Sequence, residues 1–200
     1  MANYDKSIEN FKAKLAFGGV RPTMFQVEIT LPDGLTAPDN EAADSAHYLV
    51  KAAQLPASTV GVIDVPFRGR KLKVSGDRAY ADWSTTITND HSFGLRVTLE
   101  KWSELVQNHN FVLGANELRN YFGSAIVRQL DRDAQQIRAY KFEGIWPSSV
   151  GEIGLDFDST DQVEFYDCTW AVQYWTAIEV GDPATGGPRS NVGTGSLITS

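Results

Sequence analysis

Apolar and polar residues alternate with a period of two along much of this chain, and that alternation limits the fold more than any other feature. In residues 24–31, Phe25, Val27, Ile29 and Leu31 fall on one side, and Met24, Gln26, Glu28 and Thr30 on the other. Successive side chains of a strand point to opposite faces, so the pattern predicts a half-buried strand. Residues 82–89, rich in Thr and holding Trp83 and Ile87, read as a second. Residues 126–132 alternate less cleanly, and residues 136–142 put Arg138, Tyr140 and Phe142 on one side. The longest candidate is 163–175. It sets Tyr166, Cys168, Trp170, Val172 and Tyr174 against a mixed face of Phe165, Asp167, Thr169, Ala171 and Gln173. Such a strand suits a sheet buried on one side and wet on the other.

One helix interrupts the strands. Leu95, Leu99, Trp102 and Val106 recur at helical spacing, with Thr98 and Leu105 alongside. Asp90 or Ser92 is placed to cap its start, and Gln107-Asn108-His109-Asn110 ends it. A weaker helical pattern, Ile8, Phe11 and Leu15, lies in residues 6–16 before Gly18-Gly19. Residues 32–46, 113–123 and 181–200 are rich in turn formers. The class is mainly β with one long helix. Two hundred residues make one domain at about 150 residues per domain. We expect an N-terminal arm over 1–20, a domain over 21–178 and a flexible tail over 179–200.

Composition and charge narrow the function. With 42% hydrophobic and 22% charged residues the chain has a globular rather than a disordered balance. No apolar run approaches the ~18 residues that span a bilayer, and Met1-Ala2-Asn3-Tyr4-Asp5-Lys6 does not open a signal peptide. We therefore expect no membrane partner. Cys168 is the only cysteine, so an intrachain disulfide and a cysteine-based zinc site are excluded, and it reads as a small buried hydrophobe. The net charge of -7 argues against electrostatic coating of DNA. The charges come in blocks. Asp33, Asp39, Glu41 and Asp44 are acidic without a base between them. Arg68, Arg70, Lys71, Lys73 and Arg78 surround the single Asp77. Glu152, Asp156, Asp158, Asp161, Glu164 and Asp167 again lack a base. Blocks of opposite sign suit complementary patches between copies of the chain, which fix register.

Catalytic signals are poor. His47, His91 and His109 are not spaced as helix-borne metal ligands, and no nucleophile elbow, phosphate loop or dinucleotide fingerprint occurs. Asp156, Asp158 and Asp161 lack the Gly and terminal Glu of a calcium loop. We expect no enzyme activity, metal or cofactor. The basic stretch 67–74 holds one ring, Phe67, and lacks the dense aromatic interleaving of a base-stacking nucleic-acid site; its charges better fit a hairpin edge that pairs with acids on a neighbour, with a nucleic-acid-binding β-domain holding phosphates through Arg68 to Lys73 as the alternative.

One series of segments runs in order along the chain. It opens with Arg21-Pro22-Thr23-Met24-Phe25-Gln26-Val27-Glu28-Ile29. Lys51-Ala52-Ala53-Gln54-Leu55-Pro56-Ala57, Val65-Pro66-Phe67-Arg68-Gly69-Arg70-Lys71-Leu72-Lys73-Val74 and Ser75-Gly76-Asp77-Arg78-Ala79-Tyr80-Ala81-Asp82-Trp83 follow in order. Ile87-Thr88-Asn89-Asp90 precedes the helix, and Ser124-Ala125-Ile126-Val127-Arg128-Gln129-Leu130 and Gly144-Ile145-Trp146-Pro147-Ser148-Ser149-Val150-Gly151-Glu152 complete the series. Together these segments resemble the T-even-type major tail tube proteins of contractile-tailed phages, with the opening segment similar to their first strand.

The resemblance implies an antiparallel β-sandwich or barrel-like tail tube fold whose strands join a ring-wide barrel on hexamer formation. It implies hexameric rings stacked into a virion tube, made in the host cytoplasm, that conducts DNA during ejection. The implied partners are the chain itself, the tail sheath protein, the baseplate tube initiator, the tail terminator, and the tape measure protein and DNA transiently in the lumen. A tailocin or type VI secretion tube subunit, or a baseplate initiator of the same fold, is the alternative. Residues 55–74 are expected to form a hairpin reaching another subunit, with Arg68, Arg70, Lys71 and Lys73 meeting acids there. Asp77 and Arg78 are expected to order a following turn. Trp83, Trp102 and Trp146 are expected to be packing anchors. Residues 32–47 and the tail depart from the family pattern, and the net charge suggests acids facing the lumen.

Overall fold

The computed structural model describes residues 8–15, 19–35, 42–108 and 117–178. Parts of residues 6–16, 32–47 and 113–123, together with His109 and the tail from 179, lie outside the described residues. Nine strands and a long helix dominate. In chain order they are α1 (Ile8–Lys14), β1 (Phe25–Thr30), the short α2 (Ala46–Leu49), β2 (Val50–Ala53), β3 (Ser58–Phe67), β4 (Arg70–Tyr80), β5 (Trp83–Thr88), α3 (Gly94–Val106), β6 (Gly123–Leu130), β7 (Gln136–Val150), β8 (Phe165–Ala171) and β9 (Tyr174–Ile178). All pairings are antiparallel. The main sheet runs β1-β6-β7-β8-β5-β2, with β9 also on β7, while β3 and β4 form a separate two-stranded ribbon.

The predicted strand over 163–175 is two strands, β8 and β9, separated at Val172 and Gln173. Both run antiparallel along β7, from Val150↔Cys168 to Ala139↔Ile178, so one ladder is broken in its middle. The break lies beside Gly144. It takes a left-handed φ of +62° and is skipped in the β6 register between Glu143 and Ile145. A Cβ there would come within 2.6 Å of Gln173 Cγ. A single glycine bulge therefore bends β7, and its two halves join different parts of the sheet.

The bend brings two apolar faces together. Val27, Ile29, Ala125, Val127 and Phe142 come from one half, and Val50, Trp83, Ile87, Tyr166, Cys168 and Trp170 from the other. The Trp83 ring stacks on Phe142 at 4.9 Å and on Trp170 at 5.6 Å. Helix α3 adds Leu95, Thr98, Leu99 and Trp102, and the Trp102 ring meets Trp170 edge-on at 5.5 Å. Its Nε1 donates to the Tyr121 carbonyl at 2.7 Å, satisfying the polar end of a fully buried indole. The helix begins differently from the expectation. Phe93, not Asp90 or Ser92, is the N-cap, in a left-handed conformation and without a side-chain cap bond. Ser92 Oγ instead accepts from Gly94 N at 3.3 Å while donating to Asp90.

Candidate assembly surface

The β3–β4 ribbon stands off the body. Every residue of β3 but Ser58, and of β4 but Gly76 and Tyr80, is exposed. It grows from the start of β5, where Ala81 N donates to Ala57 O at 3.0 Å, and Tyr80 leans edge-on against Trp175. Its turn is Arg68-Gly69, with φ of 45° and 82°, the pair of positive values that a two-residue type I′ turn needs. Val60 pairs with Arg78 but Val62 with Ser75, so a bulge at Gly61, Gly76 and Asp77 twists the ribbon near its base.

Register sorts the side chains. Ile63↔Val74, Val65↔Leu72 and Phe67↔Arg70 share one face, and Val62↔Ser75, Asp64↔Lys73 and Pro66↔Lys71 the other. The first face is apolar and uncovered. Phe67 is 66% exposed, Leu72 63% and Ile63 54%, with Val65 and Val74 close behind. On the second face Lys71 and Lys73 both reach Asp64, at 3.4 and 3.2 Å. These pairs are solvated and contribute little stability, so the lysines remain largely available to another partner.

The basic residues singled out in the sequence are thus gathered on one ribbon but not on one face. Arg68 sits at the turn beside the Phe67 ring, Arg70 borders the apolar face, and Lys71 and Lys73 lie opposite. Arg78 donates to Ser58 Oγ at 3.2 Å near the base. No turn follows Asp77 and Arg78, because β4 continues through Tyr80; Asp77 belongs to the bulge. Trp83 and Trp102 are fully buried. Trp146 is only half-buried, packed against the core beside Ser103, Val106 and Pro147 near the end of α3. Its place among the fully buried rings is taken by Trp170, which the alternation Tyr166, Cys168, Trp170 had put on the buried face. Sequence reasoning also missed Asp64, the internal partner of both lysines, which the short separation from Lys71 and Lys73 across a turn could have shown.

A second exposed feature is the irregular segment 151–164 between β7 and β8. It carries Glu152, Asp156, Asp158, Asp161 and Glu164 and no base. Phe157 is fully exposed and Leu155 is 84% exposed. Its start is held by Arg96, whose Nη1 donates to Gly151 O at 2.7 Å while its Nε pairs with Glu100. Its end is held by Asn89 Nδ2, which donates to Glu164 at 2.7 Å. Among the described residues no three His, Cys, Asp or Glu side chains converge as metal ligands, and no helix is long and apolar enough to cross a membrane.

A family profile described as phage tail tube protein matches residues 20–178, most of the chain. The chain belongs to the phage tail tube protein family. Among curated relatives, the tail tube protein gp19 of Enterobacteria phage T4 is 34% identical over 156 residues, covering 78% of this chain and 90% of that protein. The tail tube protein of Serratia phage KSP90 is 22% identical over 174 residues, covering 86% of this chain and 96% of that one. Among solved structures, the tube fold recurs in the sheath/tube terminator of an extracellular contractile injection system. The TM-score is 0.59 at 12% identity, over 80% of this chain and 96% of that one. At that identity the likeness speaks for the fold. This tail tube protein is accordingly a structural virion component and not an enzyme. Among the described residues, the ribbon and the 151–164 segment both leave large apolar side chains exposed.

Proposed function

We propose that this tail tube protein forms hexameric rings that stack into the tube of a contractile phage tail, the conduit for DNA during ejection. The observation that carries the reading is the β3–β4 ribbon, with five apolar side chains exposed on one face. A two-stranded ribbon is marginally stable alone in water, and its two free edges invite pairing. Ribbons of neighbouring copies that pair edge to edge around a ring close into a barrel, which removes every free edge and leaves the apolar face to pack outward on the neighbouring bodies. α1 offers a second uncovered stripe, with Ile8 and Phe11 exposed and no buried residue in the helix. A sheath outside the tube, an initiating baseplate below it and a terminator above it complete the proposed partners.

Sedimentation velocity with negative-stain electron microscopy across a concentration series tests this. Six-fold rings or tubes are expected from the unaltered chain. The double variant Val65→Asp/Phe67→Asp is expected to stay monomeric with an unchanged far-ultraviolet spectrum, because both residues are exposed in the monomer. A chain that remains monomeric at every concentration, or a variant that assembles normally, overturns the reading.

A further inference from the structure

The two faces of the β3–β4 ribbon carry different chemistry. Beyond the bulge, the face opposite the apolar one bears Val62, Asp64 and Pro66 from β3 and Lys71, Lys73 and Ser75 from β4. Asp64 pairs directly with Lys73 and stands diagonal to Lys71. Its carboxylate therefore lies between two ammonium groups. Oδ2 accepts from Lys71 Nζ at 3.4 Å and Oδ1 from Lys73 Nζ at 3.2 Å. The lysine side chains are 70% and 72% exposed and the aspartate 37%. An ammonium has three donors, and each lysine commits one to Asp64. Both lysines thus remain open to a further anion, while one negative charge is shared by two positive ones. The ribbon's other cations lie elsewhere. Arg70 shares a face with Phe67, Arg68 occupies the turn, and Arg78 reaches Ser58 below the bulge.

We infer that this polar face meets the phosphate backbone of the passing DNA, and that Asp64 sets how firmly Lys71 and Lys73 hold it. The inference rests on the assembly reading above and names the DNA-facing residues of the channel proposed there. Side chains of a strand leave by two faces, and where the apolar face packs outward the other turns to the lumen. Lys71 and Lys73 are about 7 Å apart along one strand. Lysine contacts with phosphates release counterions, and affinity climbs with every contact added. Two unopposed lysines from each subunit of each ring would grip a duplex along its whole length. Asp64 competes with the phosphates for both ammonium groups at once, and leaves the face with one net positive charge. The competing pairs are solvated and weak, so a phosphate displaces them and is displaced in turn. A moving polyanion is then held briefly at each ring. The channel wall at this face is balanced in charge rather than acidic.

The test uses the full chain and a short labelled DNA duplex, followed by fluorescence anisotropy at low salt. Asp64→Asn is expected to bind about tenfold tighter than the original chain. Asp158→Asn removes the same charge from another part of the surface and is expected to stay within about twofold of the original. The slope of log affinity against log salt is expected to steepen in Asp64→Asn, and to shrink by about one for each lysine removed in Lys71→Gln/Lys73→Gln. With both lysines replaced, adding Asp64→Asn should change affinity by less than about twofold, because the aspartate acts through them. All four residues are exposed, so the fold does not depend on them. A second measurement locates the face. Tubes of Lys73→Cys are offered a small maleimide, or the same maleimide on a protein carrier wider than the channel. Cys168 is fully buried and does not compete. Reaction with the small reagent alone is expected. Reaction with both or with neither overturns the inference, as does Asp64→Asn binding no tighter than Asp158→Asn; in each case the tubes themselves leave the assembly reading standing. If the unaltered chain forms no tube, that reading falls and the channel face falls with it.

Discussion

The rings of Trp83 and Phe142 lie face to face, with centroids 4.9 Å apart and planes 8° from parallel, and join the two halves of a bent sheet. Both side chains are fully buried. Truncation of either to Ala is expected to cost about 3–5 kcal/mol, as for other buried aromatics. Urea unfolding of a monomeric background measures it free of assembly, which would otherwise add its own linkage.

Trp83 and Trp170 make a sharper comparison. The Trp83 Nε1 is buried with no partner, whereas the Trp170 Nε1 donates to Thr85 Oγ1 at 3.0 Å. Trp83→Phe removes an unsatisfied donor along with ring volume; Trp170→Phe leaves Thr85 with a lost bond. Removal of one partner of a buried hydrogen bond costs about 1–3 kcal/mol. Trp170→Phe is therefore expected to be the more destabilising, by about 1 kcal/mol or more in the same urea titration. Equal losses would show that the two indole nitrogens are equivalent in solution.

Gly144 holds the bend of β7. Gly144→Ala combines a left-handed φ with a Cβ within 2.6 Å of Gln173, whereas Gly69→Ala has a similar φ but nothing within 4 Å. Strained backbone costs about 1–3 kcal/mol per residue. Gly144→Ala is expected to lose clearly more stability than Gly69→Ala. Thermal melts of both variants in the monomeric background give the order.

The same residues show how much was legible in advance. Alternation located β1, β5, β6 and β8 to within a few residues, because each has one buried face. It could not show that 163–175 is broken, since the cause is a glycine 29 positions before Gln173 that becomes a neighbour only through β7. β7 itself was read only to Phe142, for its buried residues Ala139, Phe142, Ile145 and Pro147 are spaced by three, three and two. The hairpin was placed by its resemblance to the family and its basic charge, yet the split of its charges between two faces needs the register across the turn. The 151–164 segment was legible as an acidic block. Its exposed Phe157 was not, because a sequence does not say which phenylalanine has no core to enter.

Cys168 is completely buried, and burial pushes its thiol up to about 12, with the nearby Arg96 opposing the shift. The native thiol is expected to resist Ellman's reagent at pH 8 and to react at once in denaturant. The sign of the linkage follows from the raised value. The buried thiol favours the fold fully below its unfolded pKa of about 9, and that contribution is lost as pH rises towards 12. Tyr166, also pushed up by burial, acts in the same direction. Cys168→Ala should therefore flatten part of the fall in stability between pH 9 and pH 12, seen as a smaller drop in Tm than for the original chain.

Arg96 links the helix to the irregular segment 151–164. Its side chain is mostly buried. Nη1 donates to Gly151 O at 2.7 Å, Nε pairs with Glu100 at 2.7 Å, and the guanidinium lies over the Tyr166 ring at 4.8 Å. A lysine has one compact charge and cannot reproduce three directed contacts from a planar group. Arg96→Ala leaves the Gly151 carbonyl without its charged donor, at a cost of about 1–3 kcal/mol, and frees the first residues of 151–164. Hydrogen exchange in 151–164 is expected to quicken while that of β5 and β8 changes little, because the core strands do not depend on this bond. Arg96→Lys should fall close to Arg96→Ala rather than midway to the original. If exchange quickens throughout β8 instead, Arg96 serves the core, and its hold on the segment is incidental.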